Sequence, residues 1–280
     1  MGFDAAAYLD GLKDAPGEVV DPGLAALALG ALDLPGIVPG RYAAHLELLS
    51  QDVSKRYKAL VAGGSDDDAG VRLAALKHVL SDQYGYCSDS GLEALEGANL
   101  VRVIENRKGF PDALAVLYVH AGMVQGWDVC MLAFPYAALC RIDYGGVRLI
   151  FDPAQQCRVL QAPDLRAILK EKKGAQAELS AGYYDALDGR SVVVRLENHA
   201  KLRLIGAGDY AAALQVVERM MAVDPDEYRL LLDAGVLAAR CGQIKQAEDY
   251  LEGYISRAPS LYEREEAILL LRQIRSDALS

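Results

Sequence analysis

The sequence predicts an α+β protein: a mainly helical domain carrying a small antiparallel sheet, followed by an all-helical repeat segment. Three observations predict it. Up to Gly126 apolar residues recur at helical spacing. Beyond it WDVCMLAF, ALCRID and VRLIFD are short runs rich in Val, Leu, Ile and Cys, the pattern of strands. From about Val192, Gly208, Ala213 and Pro225 recur as Gly242, Ala247 and Pro259, each displaced by 34 residues.

Each element has a local reason. DPGLAALALGALDLPG and PGRYAAHLELLSQDVSKRY have helical spacing and Pro-Gly punctuation, so the first 60 residues form a helical segment packed on the next domain. AGGSDDDAG (62–70) is a polar loop whose acids suit the N-terminus of a helix through VRLAALKHVLSDQYG, with Val71, Ala74, Ala75, Val79 and Leu80 near one face. NLVRVIENRKG is a short helix leading into RKGFPDALAVLYVHAG. There a Gly-Phe-Pro turn runs straight into an apolar helix, with Pro111 at the first helical position and Asp112 suited to the helix dipole. Tyr144-Gly145-Gly146 between two extended runs signals a hairpin. ILKEKKGAQAE reads as a solvated helix and loop, and SLYEREEAILLLRQIRSDAL as a capping helix after two repeats. The expected division is 1–60, 61–190 for the α+β domain and 191–280 for the repeats.

Composition narrows the function. A net charge of −10, with no Lys/Arg block, argues against nucleic acid and anionic membranes, both polyanions. The N-terminus lacks a secretory pattern and the apolar run Gly23–Leu34 is too short to span a bilayer, so a cytoplasmic protein is expected. Cys87, Cys130, Cys140, Cys157 and Cys241 show no metal-ligand spacing, and a reduced, core-packing role is expected for each. Gly63-Gly64 and Gly145-Gly146 lack the context of a phosphate loop. No cofactor or metal is expected.

GDYAAALQVVERMMAVDP and GQIKQAEDYLEGYISRAP resemble the second halves of tetratricopeptide repeats: a turn glycine, a small residue where paired helices touch, a closing proline. The order of Gly109-Phe110-Pro111 at a helix start, then strands, then FDP at 151–153 resembles the transglutaminase-like fold. In that fold a Cys at the helix start, a His on the next strands and an Asp after them form a thiol triad. DPGLAALALGALDLPG, RYAAHLELL, NLVRVIENRKGFPDALAVLYVHAG, AFP, LIFDP and the repeats are similar to the SirB-like family, transglutaminase-like domains followed by tetratricopeptide repeats.

Carried over by position, the triad fails. The thiol position is Pro111, as in many SirB-like members. The family often has Gly-His-Phe after a Phe-Pro, whereas Tyr136-Ala137-Ala138 follows Phe134-Pro135, so the His position is Ala137. Only Asp152 survives. Asp112 could act as acid or base or simply complement the helix dipole; Cys140 could approach Asp152 across the hairpin or pack in the core; Tyr136 could line a vacated pocket or be a rim aromatic. His120 has no partner at recognisable spacing, and His45, His78 and His199 read as surface or capped core histidines.

The leading expectation is a catalytically inactive transglutaminase-like protein that binds a protein or peptide partner in its repeat groove, with Asn198, Lys201, Arg229 and Asp233 as groove residues and a partner of basic character. The alternatives are a hydrolase or acyltransferase built on Asp152 with Asp112, Tyr136 or Cys140, and a small-molecule site in the vacated cleft, lined by Tyr136 and Trp127.

Overall fold

The computed structural model describes residues 2–12, 15–89, 91–92 and 94–278. The chain divides into two compact units, Met1–Leu196 and Glu197–Ser280.

In the first unit, α1 (Ala5–Gly11), α2 (Pro22–Leu32), α3 (Pro39–Ala62) and α4 (Ala69–Lys77) come first. Asp4, Asp21 and Asp68 cap α1, α2 and α4 through their carboxylates. α1 falls within the helical segment expected over 1–60, though no pattern singled it out; Ala5 packs there against Ala28 and Ala31 of α2. After α4 the chain widens into a π-helical turn over His78–Gln83, with Tyr84 N–H donating to the Val79 carbonyl. The buried face here is Leu73, Ala75, Leu76, Val79 and Leu80. Ala74, expected on that face, is exposed, because the face turns on the larger leucines.

β1 (Cys87–Ser88), α5 (Ala94–Gly97), α6 (Leu100–Asn106) and β2 (Lys108–Gly109) come next, β1 and β2 pairing in parallel. Asn99 caps α6 through its side-chain oxygen, and its amide donates to the Gly30 carbonyl at 2.9 Å, tying α6 to α2. α7 (Pro111–Val124) is the central helix, buried from Asp112 through Gly122, and packs against α2, α3 and the first strand of the main sheet. A helix apolar all round belongs in a core.

The main sheet is β3 (Asp128–Met131), β4 (Cys140–Tyr144), β5 (Val147–Asp152) and β6 (Arg158–Leu160), antiparallel in that order. Tyr144 pairs with Val147 across Gly145-Gly146. β6 had no alternation long enough to mark it. α8 (Ala162–Lys173) buries only Leu165 and Leu169, which join Leu132, Phe134, Leu139 and Leu160 in one core cluster. The chain then runs beside β3, Ala133 N–H donating to the Asp185 carbonyl and Leu187 N–H to Met131, and enters α9 (Gly189–Gly206).

The second unit takes the end of α9, then α10 (Tyr210–Val223), α11 (Arg229–Arg240), α12 (Ile244–Arg257) and α13 (Leu261–Ala278). The sequence repeat maps onto equivalent places. Gly208 and Gly242 both have positive φ, 78° and 74°, in the turns before α10 and α12, and Ala213 and Ala247 are fully buried on those helices. Pro225 and Pro259 lie just beyond their ends.

The cysteines do not share one environment. Cys140 and Cys157 are buried and Cys130 and Cys241 half-buried, but Cys87 is exposed on the short parallel pair, against the expectation of a core role. Two strand residues at a unit's edge leave one side chain facing out.

Candidate functional site

α7 starts where its sequence says it should. Arg107 ends α6 in the left-handed region at φ 59°, Phe110 is extended, and Pro111 and Asp112 open the helix. A Cβ on Gly97 would lie 2.3 Å from the Phe110 ring, so only glycine lets that ring seat against α5. The Phe110 N–H donates to the Gly97 carbonyl at 2.8 Å.

Of the residues expected at the site, Asp112 and the turn carrying Ala137 are held by a residue the sequence had not marked. Arg195, on α9, donates from Nε to the Asp112 carboxylate at 2.6 Å, from one terminal nitrogen to the Phe134 carbonyl at 2.9 Å, and from the other to the Ala137 carbonyl at 2.8 Å. One planar fork therefore joins the start of α7 to the turn carrying Ala137. Asp112 is 4% exposed; its setting is a buried ion pair, and the dipole explanation for an acid in the first turn is insufficient. No motif could have flagged Arg195, which lies 83 residues from Asp112 in an ordinary helical run.

Asp152 is directed elsewhere. Its Oδ1 accepts from Ala154 N–H at 2.9 Å and its Oδ2 from Gln155 Nε2 at 2.7 Å, closing the turn after β5. Burial raises its pKa, opposed by those two hydrogen bonds. Cys140 pairs in register with Phe151 and is wholly buried; burial, with smaller contributions from Cys130, Cys157, Asp152 and Asp112, pushes its thiol well above the ordinary range. A nucleophilic thiolate needs the opposite surroundings. Tyr136 is 58% exposed and sits at φ 67°, on the turn held by Arg195. Trp127 is stacked edge-on against Tyr57 and lines an open cleft with Val119, Met123 and Val192, whose lining does not include Tyr136.

The histidines gain partners from far along the chain. His120 is buried, and its Nδ1 lies 2.7 Å from Asp21, 99 residues away, with Ser50 Oγ 3.5 Å from its Nε2. His45 belongs to a cluster with Tyr84, Tyr86 and Arg107. Among the described residues no group of three or more His, Cys, Asp or Glu is placed to hold a metal ion.

In the second unit α9, α11 and α13 line a groove of about 480 Å³. Ile205, Leu232, Val236 and Leu270 give it apolar walls, and Asp233, Glu263 and Glu266 outnumber Arg240 at its polar positions. Of the four residues expected to serve a groove, Asp233 lines it, and Lys201 is buried with its ammonium 2.6 Å from Asp233. Arg229 stacks over Tyr228 at the start of α11, and Asn198 is half-buried on α9.

A family model described as a transglutaminase-like superfamily matches residues 40–198. The chain belongs to the transglutaminase-like superfamily. A tetratricopeptide-repeat model matches residues 200–275. A UPF0162 protein of Pseudomonas aeruginosa is 28% identical over 223 residues, 78% of this chain and 77% of its own. UPF0162 proteins from two Xylella fastidiosa strains, Temecula1 and 9a5c, are 24% and 23% identical, each over 69% of this chain and 70% of theirs. No solved structure matches the chain. Within the matched region α7 begins with Pro111 and the Asp112–Arg195 pair. No described helix is long and apolar enough to cross a membrane.

Proposed function

We propose that this transglutaminase-like domain carries out no thiol-triad chemistry and that the chain is an intracellular, cytoplasmic interaction protein whose repeat groove receives a protein or peptide of basic character. The observation that carries the first half is the Arg195 fork. Where a triad would set a nucleophile against an imidazole, a guanidinium links Asp112 to the Phe134 and Ala137 carbonyls. A cation anchored by three hydrogen bonds neither attacks an acyl group nor accepts a proton. Asp152 has both oxygens engaged in its own turn, and the Cys140 thiol stays protonated in the core. These points weigh against a hydrolase or acyltransferase built from Asp152, Asp112, Tyr136 or Cys140.

The second half is supported by the groove. Apolar walls with an acidic excess suit an amphipathic segment carrying lysine or arginine, the apolar face supplying affinity and the charges supplying orientation. The test uses full-length tagged protein purified from its native host, wild type beside Val236→Glu and Leu270→Glu, with amine incorporation into a glutamine-containing protein assayed in parallel. Partners seen with wild type are expected to vanish with both variants, and amine incorporation is expected to stay at the buffer level. Identical partners from all three proteins would sink the groove reading; incorporation abolished by Asp152→Ala would sink the inactive one.

A further inference from the structure

A pocket of about 160 Å³ in the first unit is lined by Arg41, Tyr42, His45, Ile104, Glu105 and Arg107, from α3 and the end of α6. Its charges are unusual for this chain. The protein has 39 acidic residues against 29 basic ones, yet among the described residues no carboxylate lies within ion-pair distance of Arg41 or Arg107, Arg41 acting on Glu105 only through its longer-range charge. Arg107 directs a terminal nitrogen to two neutral groups, the Tyr86 hydroxyl and His45 Nε2, the latter at 2.7 Å. Its guanidinium carbon lies 4.9 Å from the Tyr86 ring centre and 5.6 Å from that of Tyr84. Arg41 stacks on Tyr42.

The one acid in the lining is already engaged. Glu105 accepts from the Tyr42 hydroxyl at 2.6 Å and from Arg102 at 2.8 Å, one bond to each oxygen. Burial and the Arg107 charge together bring the His45 pKa down to about 4, so at neutral pH the ring is uncharged. With Nε2 the acceptor, its proton is on Nδ1, a further donor. Arg107 takes the left-handed region at φ 59° where it ends α6, which fixes the point from which its side chain leaves the helix. Arg41, Arg107 and the neutral ring of His45 thus line one small recess, with no carboxylate of the described residues in ion-pair contact with either guanidinium.

We propose that this recess is a binding site for a small oxyanion, a carboxylate or a phosphate group, held chiefly by Arg107 and Arg41. Guanidinium forks match both anions, and the recess has room for about five waters at ~30 Å³ each, enough for one such group. The site takes no part in the acyl chemistry of the fold and stands whether or not the repeat groove binds a partner.

The experiment is an NMR titration of the full-length protein, following the imidazole resonances of His45 while inorganic phosphate, acetate or chloride is added at fixed pH and ionic strength. A saturable shift with phosphate or with acetate, absent with chloride, is expected, and whichever anion saturates at lower concentration identifies the preferred group. Arg41→Gln, at an exposed position, is expected to weaken the saturating anion at least tenfold, and Arg107→Gln to abolish saturation. Far-UV circular dichroism checks both folds; if Arg107→Gln unfolds, Arg41→Gln decides. Equal, non-saturating responses to all three anions, or saturation unchanged in Arg41→Gln, would overturn the proposal.

Discussion

Nε of Arg195 lies 2.6 Å from Oδ1 of Asp112, joining two residues 83 positions apart at the start of the central helix α7. The pair is asymmetric in burial, the Asp112 side chain being 6% and the Arg195 side chain 25% exposed. Removing the arginine takes the ion-pair partner from a carboxylate that water can barely reach.

Arg195→Met is therefore expected to destabilise the first unit by about 2–4 kcal/mol, somewhat below the range for a fully buried pair because part of Arg195 is solvated. Adding Asp112→Leu to that variant should restore a large part of the loss, since the buried carboxylate is gone. Urea unfolding followed by Trp127 fluorescence measures it; Trp127 is the chain's single tryptophan and belongs to this unit. An unchanged midpoint in Arg195→Met would show that the pair does not hold the domain together.

Asp21 performs two tasks, accepting from Gly23 N–H at 2.8 Å as the cap of α2 and meeting His120 Nδ1 at 2.7 Å. Asp21→Ala loses the cap and leaves a buried imidazole nitrogen without its partner, together about 2–3 kcal/mol. Asp21→Asn keeps an acceptor for the cap and should lose less than half as much. The same tryptophan-detected unfolding compares them, and equal losses would mean that the charge of Asp21 rather than its geometry matters.

His45 makes stability depend on pH in a defined direction. Its folded pKa is depressed to about 4 from an ordinary 6.5, so between those values the unfolded chain binds the extra proton. The contribution is complete above pH 6.5 and is lost as pH falls towards 4. It is on the order of 1–2 kcal/mol after allowing for the solvent exposure of the ring. The stability difference between wild type and His45→Gln, followed from pH 7.5 to 4, should shift against wild type by that amount as pH falls; a constant difference would contradict the depressed pKa.

Gly145 and Gly146 turn the β4–β5 hairpin at φ 60° and 78°, the left-handed pair that a two-residue loop requires. Gly146→Val is expected to lower stability by about 1–2 kcal/mol through backbone strain, while Gly145→Asn should be close to neutral, asparagine tolerating that region. Thermal melts of the two variants separate strain from side-chain effects: comparable melting temperatures would rule out the turn geometry as the cause.

Local chemistry is what the sequence expressed well. Pro111 with Asp112 opened α7, Asp21 and Asp68 capped their helices, the glycine pair turned the hairpin, and the 34-residue displacement placed Gly208 and Gly242 in equivalent turns. These features depend on neighbours within a turn or on a repeated spacing, so they are written in consecutive residues. β6, three residues long, and α1 escaped because neither had a pattern that stood out from its surroundings.

The sequence by itself determined the fold class, the helical repeat after the α+β domain, and the start of α7 at Pro111 and Asp112. Only the tertiary structure decided where the charges go: Arg195 against Asp112, His120 against Asp21, Arg107 among Tyr86 and His45. The physical reason is that a buried charge or donor must find a partner, while nothing in covalent order says which distant residue supplies it. Packing brings α9 to α7 and α7 to α2, and these pairings are the result.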